Sequence, residues 1–314
     1  MYPSRIRLST SAHQLLLECE RKWQLTLLLK GAAERSDSAI FSFGHGWGAG
    51  VVQYLLTGSL DAAVYHAWLA YWPLLEDDKR CEELMFIGLR AAKARLDSIR
   101  RDWEVATFNG KPAIELGFRL NINKSFYYES ALDAALRHKT DNHYAVLENK
   151  HTMSWLDDIT PMYKNSSQAL IYSVILDKIV EQPIATYGLN YFVGQFKSSD
   201  LYKPIIHFFP WRKTLLDRLN FFIALGMDVQ RAQTMMDMNI FPMRGHNCMN
   251  YGRVCEYFGT CQLRSGDRPK TDQDVEEEKT QHIKEIECTV QFDLELDDII
   301  KDHLQRVREE IKTT

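Results

Sequence analysis

Hydrophobic positions along this chain change their period several times, and each change marks an element. In LSTSAHQLLLECERKWQLTLLLK, near the start, apolar residues recur at three and four, which predicts a first helix capped by Ser9 or Ser11 and carrying Cys19. Gly31 to Ser38 reads as a loop, and 41–58 (FSFGHGWGAGVVQYLLTG) as a helix entry followed by a second helix. Helical spacing continues from 59 to 104 through Trp68, Trp72, Leu75, Leu84, Ile87, Leu89 and Leu96, broken near Pro73. Two more helices are expected there, packed as a lid or subdomain. The period then falls to two. Residues 112–122 alternate as a strand with Glu115 polar among apolar neighbours, and 127–137 and 143–149, parted by Lys-Thr-Asp-Asn, read as an antiparallel pair. Residues 165–181 return to an amphipathic helix. A second strand pair is expected at 185–197 and 201–209, with Pro204 marking an edge. A long helix follows from about 211 to 239.

The remaining 51 residues are different in kind. Residues 264–283 are polar and charged, which predicts a mobile linker, and 284–314 offer a short strand (IECTVQF) and an amphipathic helix (LDDIIKDHLQRVREEI). This acidic extension suits either docking of a protein partner or an intramolecular role. The chain has 314 residues, 45% of them apolar, enough for a sizeable core. No apolar run reaches the length of a membrane span and no signal peptide is legible, so no membrane partner and a cytoplasmic location are expected. Net charge is −4, but 264–314 hold 15 acidic against 9 basic side chains, which leaves 27 acidic and 29 basic in 1–263. Any nucleic-acid contact must therefore rest on a local patch rather than on overall charge.

Chemistry concentrates in YYESALDAALRHKTDNHYAVLENK at 127–150. Glu148 and Lys150 are two apart on one strand, so they leave the sheet on the same side, about 7 Å apart by strand rise. With Asp133 facing that side from the neighbouring strand, two hard oxygen ligands and one positive charge converge. Such a set suits Mg²⁺ or Mn²⁺ and phosphodiester hydrolysis, in which the ion acidifies water and a lysine stabilises the developing oxyanion. Alone, an ExK pair is more simply two charges at a strand end. On the following helix Gln168 and Tyr172 share a face, one turn apart. Elsewhere, Arg212, Lys213, Arg218 and Arg231 on the long helix offer phosphate contacts or merely a solvated face. Tyr65, Trp68, Tyr71 and Trp72 offer stacking for bases or core packing.

Cysteines fall at 19, 81, 248, 255, 261 and 288. Three crowd into HNCMNYGRVCEYFGTC at 246–261, spaced C-x6-C-x5-C without the tight knuckle of structural zinc. An iron–sulfur cluster needs four thiolates that may lie far apart in sequence, zinc would recruit His246, and ordinary thiols need nothing.

The succession of a strand with Glu115, a strand with Asp133, a strand with Glu148 and Lys150, and a helix with Gln168 and Tyr172 resembles the PD-(D/E)XK nuclease superfamily, RecB-like branch. The likeness covers about residues 5–263. It implies an α/β fold of restriction-endonuclease type: a mixed β-sheet flanked by helices, with a helical insertion at 59–104. It also implies a nuclease domain over 1–263 that includes a cysteine segment at 246–263. By motif position, Asp133, Glu148 and the backbone carbonyl of Asn149 would hold Mg²⁺ or Mn²⁺, Lys150 would be catalytic, and Gln168, Tyr172 and Glu115 would line the site. A histidine is expected where this chain has Gly48; His45, three residues earlier, is the substitute. The small-residue run Gly44–Gly50 would let DNA or metal approach closely. The iron–sulfur members of that branch pair an N-terminal cysteine with three near the C-terminal end, which implies Cys19, Cys248, Cys255 and Cys261 around a [4Fe–4S] cluster joining the two segments. The activity implied is a deoxyribonuclease, an exonuclease on single strands or DNA ends. A non-hydrolysing DNA-binding adaptor and an iron–sulfur regulatory module on the same fold are the alternatives.

Overall fold

The computed structural model describes residues 2–29, 39–71, 79–152, 160–161, 163, 166–180, 188–195, 204–250, 253–258, 261 and 290–313. In chain order the elements are β1 (Ile6–Leu8), α1 (Thr10–Glu18), α2 (Glu20–Trp23), a π-helical turn (Gln24–Leu28), α3 (Ala39–Thr57), α4 (Leu60–Tyr71) and α5 (Lys79–Asp102). Five strands follow: β2 (Trp103–Val105), β3 (Thr107–Phe108), β4 (Lys111–Pro112), β5 (Ile114–Asn121) and β6 (Phe126–His138). Then come β7 (Tyr144–Thr152), α6 (Ser167–Val180), β8 (Gly188–Gln195), β9 (Ile205–Arg212) and α7 (Leu215–Met238). The chain ends with β10 (Met249–Asn250), β11 (Arg253–Val254), β12 (Val290–Glu295) and α8 (Leu296–Thr313).

The strands join in the order β12-β5-β6-β7-β8-β9, with β1 and β2 also paired to β6. β5, β6 and β7 form an antiparallel meander, β8 runs parallel to β7 across the α6 crossover, and β9 returns antiparallel along the edge. A parallel neighbour needs such a crossover, and here the helix supplies it. Pro204 lies just before the β9 edge, where its missing N–H breaks no ladder bond.

Each face of the mixed sheet carries its own core. On one, Leu116, Phe118, Leu120, Tyr128, Leu132 and Val146 pack against Ile171, Tyr172 and Ile175 of α6 and Phe222, Leu225 and Val229 of α7. On the other, Ala134, Leu136 and Leu147 meet Phe43, Trp47 and Val51 of α3, Ala67 and Tyr71 of α4, and Met85 and Leu89 of α5. Residues 59–104 thus build one layer of the molecule together with α3. The glycines of α3 have a different use from the one their sequence suggests. A Cβ at Gly46 would lie 2.5 Å from Met85 Sδ and 3.0 Å from the Ala67 carbonyl, and one at Gly50 would lie 2.8 Å from Leu89. They let three helices nest, while Gly44 abuts the His151 ring, whose Cε1 would be 2.9 Å from a Cβ there.

Several expectations need correction. The first helix does not run through Cys19: that residue is extended (φ −160°, ψ 111°), ending α1 and preceding α2. Ser9 does cap α1, accepting from Ala12 N at 3.2 Å. The long helix starts at Leu215, with Thr214 and Asp217 forming a capping box, because 211–212 belong to β9. Arg218 is fully buried and 3.8 Å from Asp177, so it is no phosphate contact. Arg231 lies 3.8 Å from Glu20. Tyr71 is buried in the helical layer, whereas Tyr65 is exposed. The terminal segment is structural as well: β12 pairs in parallel with β5, and α8 binds Asp177 of α6 through Arg306 at 2.7 Å. The loop at 31–38, Trp72 and Pro73, the stretch 264–283, and Cys288 lie outside the described residues, as does the Cys81 side chain.

Candidate active site

Leu132 and Ala134 are two apart on β6, and a regular strand would place them on one face. Instead Leu132 enters the core under α6 and Ala134 the core under α3; on β5, Leu116 and Ile114 part in the same way. Pairing of β5 with β6 is interrupted at this point, between Ile114↔Ala134 and Leu116↔Leu132. Glu115 at the break has φ 45°, a left-handed conformation that costs a non-glycine residue about 1–3 kcal/mol. The reversal gives Asp133 a new partner. Its Oδ2 accepts the backbone N–H of Asn149 at 2.7 Å, so a carboxylate replaces a ladder bond beside Glu148.

Glu148 is buried, and two groups donate to its Oε1: Lys150 Nζ at 2.5 Å and Gln168 Nε2 at 2.7 Å. Gln168 Nε2 also donates to the Tyr172 hydroxyl at 3.0 Å, which leaves that hydroxyl to donate to Ser130 Oγ at 2.8 Å. A chain of hydrogen bonds therefore runs from β6 through α6 to β7 and fixes the Glu148 rotamer. Ser130 was missed from sequence. Its place on β6, three residues before Asp133 and across from the QxxxY face, was the available signal.

The electrostatics follow from three carboxylates in one place. Burial, then the charge of Asp133, pushes Glu148 up to about 8, against the pull of Lys150 and Gln168. Asp133 is also raised by burial, opposed by Lys150, by Asn149 and by the charge of His45. Glu115 is pushed up to about 8 by its surroundings and by Asp133 and Glu148. Its side chain is exposed to solvent at the rim of the site. His151, packed against Phe43, is lowered to about 4 by burial and by Lys150, so its ring is neutral.

Does this constellation fit a divalent ion? Glu148 Oε2 is buried and has no hydrogen-bond partner among the described residues, an open acceptor that water or a cation must satisfy. With Asp133 adjacent, the donors are hard oxygens, the set Mg²⁺ and Mn²⁺ take. Glu115, Asp133 and Glu148 do not bring three oxygens within 4.8 Å of one another among the described residues, so Glu115 acts on the pair by charge. His45 is exposed on α3 and likewise reaches Asp133 through its charge. Gly48 faces Asn149, with Cβ to Cβ spacing of 4.0 Å if it carried one.

The thiols gather at the opposite end of the chain's path. Segment 242–258 is clamped onto 18–26 by Arg244 on Glu20 (2.8 and 2.5 Å), Arg21 N to the Pro242 carbonyl (3.2 Å), Asn247 to the Glu18 carbonyl, and Lys22 with Glu256 (3.1 Å). Cys19 and Cys255 line one cavity with Glu18, Lys22 and Asn247. Cys255 N–H donates to the Cys248 carbonyl at 2.8 Å. Burial pushes the Cys261 thiol up, Arg21 opposes it, and the neighbouring Cys19 and Cys248 add to the rise. No three of these sulfurs lie within 4.8 Å of one another among the described residues. Zinc bonds of about 2.3 Å would hold them closer than that. Four thiols from these two segments are the donor set that an iron–sulfur cluster takes.

No family model matches this chain, and no curated protein matches it. Among solved structures it is similar to a crystal structure from Eubacterium rectale described as "Putative exonuclease", at 12% identity and a TM-score of 0.48, over 87% of this chain and 92% of that one.

Proposed function

We propose that this chain is a divalent-metal-dependent deoxyribonuclease that also carries a [4Fe–4S] cluster. The observation that carries the reading is the meeting at Glu148: Lys150 and Gln168 share one carboxylate oxygen, and the other is left open beside Asp133. Asp133, Glu148 and the carbonyl of Asn149 would hold Mg²⁺ or Mn²⁺. When bound, the ion would supply Lewis acidity toward a phosphate oxygen and a water. The Lys150 ammonium stands where it orients an attacking water and offsets charge growing on the phosphate. Gln168 holds Glu148 in place, and Tyr172, fixed by Ser130, holds Gln168. Glu115 adds negative charge at the rim that favours cation binding, and His45 sits on the same rim. Cys19, Cys248, Cys255 and Cys261 would hold the cluster between two segments that carry none of the residues meeting at Glu148, and its part would be structural.

End-labelled single-stranded DNA with Mg²⁺ or Mn²⁺ is the test. The native chain is expected to degrade it, and Asp133→Ala and Lys150→Ala to be at least about a hundredfold slower. Degradation at the native rate by either variant contradicts the assignment. Binding without cleavage by the native chain would instead favour the adaptor reading, which Gly48 at the family's histidine position supports.

A further inference from the structure

The β6–β7 turn holds a second ligand set that the nuclease reading does not use. We infer that His138, Asp141 and His143 form a binding site for a borderline divalent transition ion such as Zn²⁺. Their ligand atoms all lie within 4.8 Å of one another, a spacing met by no other such group among the described residues. Both imidazoles aim Nδ1 at one oxygen, Asp141 Oδ1, at 2.5 Å from His138 and 2.7 Å from His143.

The set is held before any ion arrives. Asn142 at φ 57° turns the chain, and His138 N–H donates to the His143 carbonyl at 2.8 Å. The two rings stack with centroids 4.8 Å apart and planes 8° from parallel, and Trp103 on β2 sets its ring edge-on to both, at 4.9 and 5.2 Å. A second observation points to a ligand. His138 Nδ1 is buried and makes no aligned hydrogen bond, although the Asp141 carboxylate is 2.5 Å away.

Two imidazole nitrogens and one carboxylate, with water completing the shell, select Zn²⁺ and its neighbours over Mg²⁺, which prefers all-oxygen sites. Bonds of about 2.0–2.2 Å in a tetrahedral arrangement separate ligand atoms by about 3.3 Å, so the exposed Asp141 need withdraw only slightly. The ion would tie the two strands together five residues beyond Asp133, about 17 Å along β6 by strand rise. It would fix the register on which Asp133 and Glu148 depend without touching the reaction.

Calorimetric titration of Zn²⁺ into the full chain, with excess Mg²⁺ to occupy the carboxylates, tests this against His143→Gln. Any zinc taken up by the cysteines is the same in both proteins, so the difference isolates the turn. The native chain is expected to take up one more equivalent, lost or weakened at least about tenfold in the variant. Asp141→Asn, at an exposed position, serves if His143→Gln does not fold. Co²⁺ gives a second reading: the native-minus-variant spectrum should show ligand-field bands without thiolate charge transfer. Equal stoichiometry and affinity in native and variant, or a difference spectrum dominated by thiolate bands, overturns the site. DNA cleavage is read separately, so failure of the nuclease assignment and failure of this one are distinct outcomes.

Discussion

The burial that raises Glu148 is a stability cost, carried by the side chain that would hold the ion in the proposed nuclease. The Glu148 carboxyl, raised to about 8 in the folded chain and near 4.5 when unfolded, stays protonated in the fold while the unfolded chain ionises. Below pH 4.5 both states are protonated and nothing is lost. Between there and about 8, stability falls as pH rises, and above 8 the penalty stays constant. Without divalent ions, the thermal midpoint is therefore expected to drop from pH 5 to pH 8, and excess Mn²⁺ to reverse the drop. Scanning calorimetry at both pH values checks it; a midpoint that rises toward pH 8 in chelator contradicts the charge cluster. Glu148→Gln should remove most of the dependence and with it the cleavage of DNA. Glu115 adds a backbone contribution. Glu115→Gly relieves a left-handed φ of 45° and one of three clustered negative charges, so it should stabilise the metal-free protein by about 1–2 kcal/mol in urea unfolding. A destabilised Glu115→Gly would mean that its side chain holds the break between β5 and β6 together.

The β6–β7 hairpin and α6 were legible because their patterns are local. Alternation at 127–137 and 143–149 and the Gln168–Tyr172 spacing each need only a short window of sequence, and both elements form as read. The reversal of faces at Asp133 was not legible. It is a joint property of two strands, and Glu115 looked merely polar. Nor was the break at Cys19, where helical spacing runs on through a residue that is extended, because the clamp from Arg244 and Asn247 comes from more than 220 residues away. Arg218 misled for the same reason. On its helix it resembles a solvated cation, but the Asp177 that keeps it buried lies on α6. Burial lowers Arg218 to about 10, which still leaves it charged, and Arg306 of α8 meets the same carboxylate at 2.7 Å. Asp177→Ala would remove the carboxylate beside the buried Arg218 and leave the part-exposed Arg306 with Asp302 at 3.5 Å, at the junction of α6, α7 and α8. A loss of about 3–5 kcal/mol in chemical denaturation is expected. A loss under about 1 kcal/mol would show that water replaces the carboxylate and that α8 docks by its apolar contacts alone.

Both ends of the polypeptide are built into the same body, by different means. The C-terminal segment adds β12 to the edge of the sheet beside β5, closing an edge that would otherwise expose unpaired N–H and C=O groups. The N-terminal segment is held by the clamp around Cys19 and, in the proposed protein, by the cluster bridging Cys19 to Cys248, Cys255 and Cys261. A crosslink closing a loop of that length restricts the unfolded chain by about 5 kcal/mol on the chain-entropy view, and ligation free energy adds to folding directly. Two variants separate this scaffold from the chemistry. Asp133→Ala, on β6 and in neither cysteine segment, should give an anaerobic preparation as brown as the native one and as resistant to protease, yet inactive on DNA. Cys255→Ala should lose the colour, unfold at a lower temperature and be cut first in 242–261, where the remaining clamp is the Arg244 pair on buried Glu20 and the more exposed Lys22–Glu256 pair. Its cleavage of DNA should fall only as far as its folded fraction does. If Cys255→Ala instead keeps its stability and loses activity outright, the thiols belong to the reaction and not to the frame.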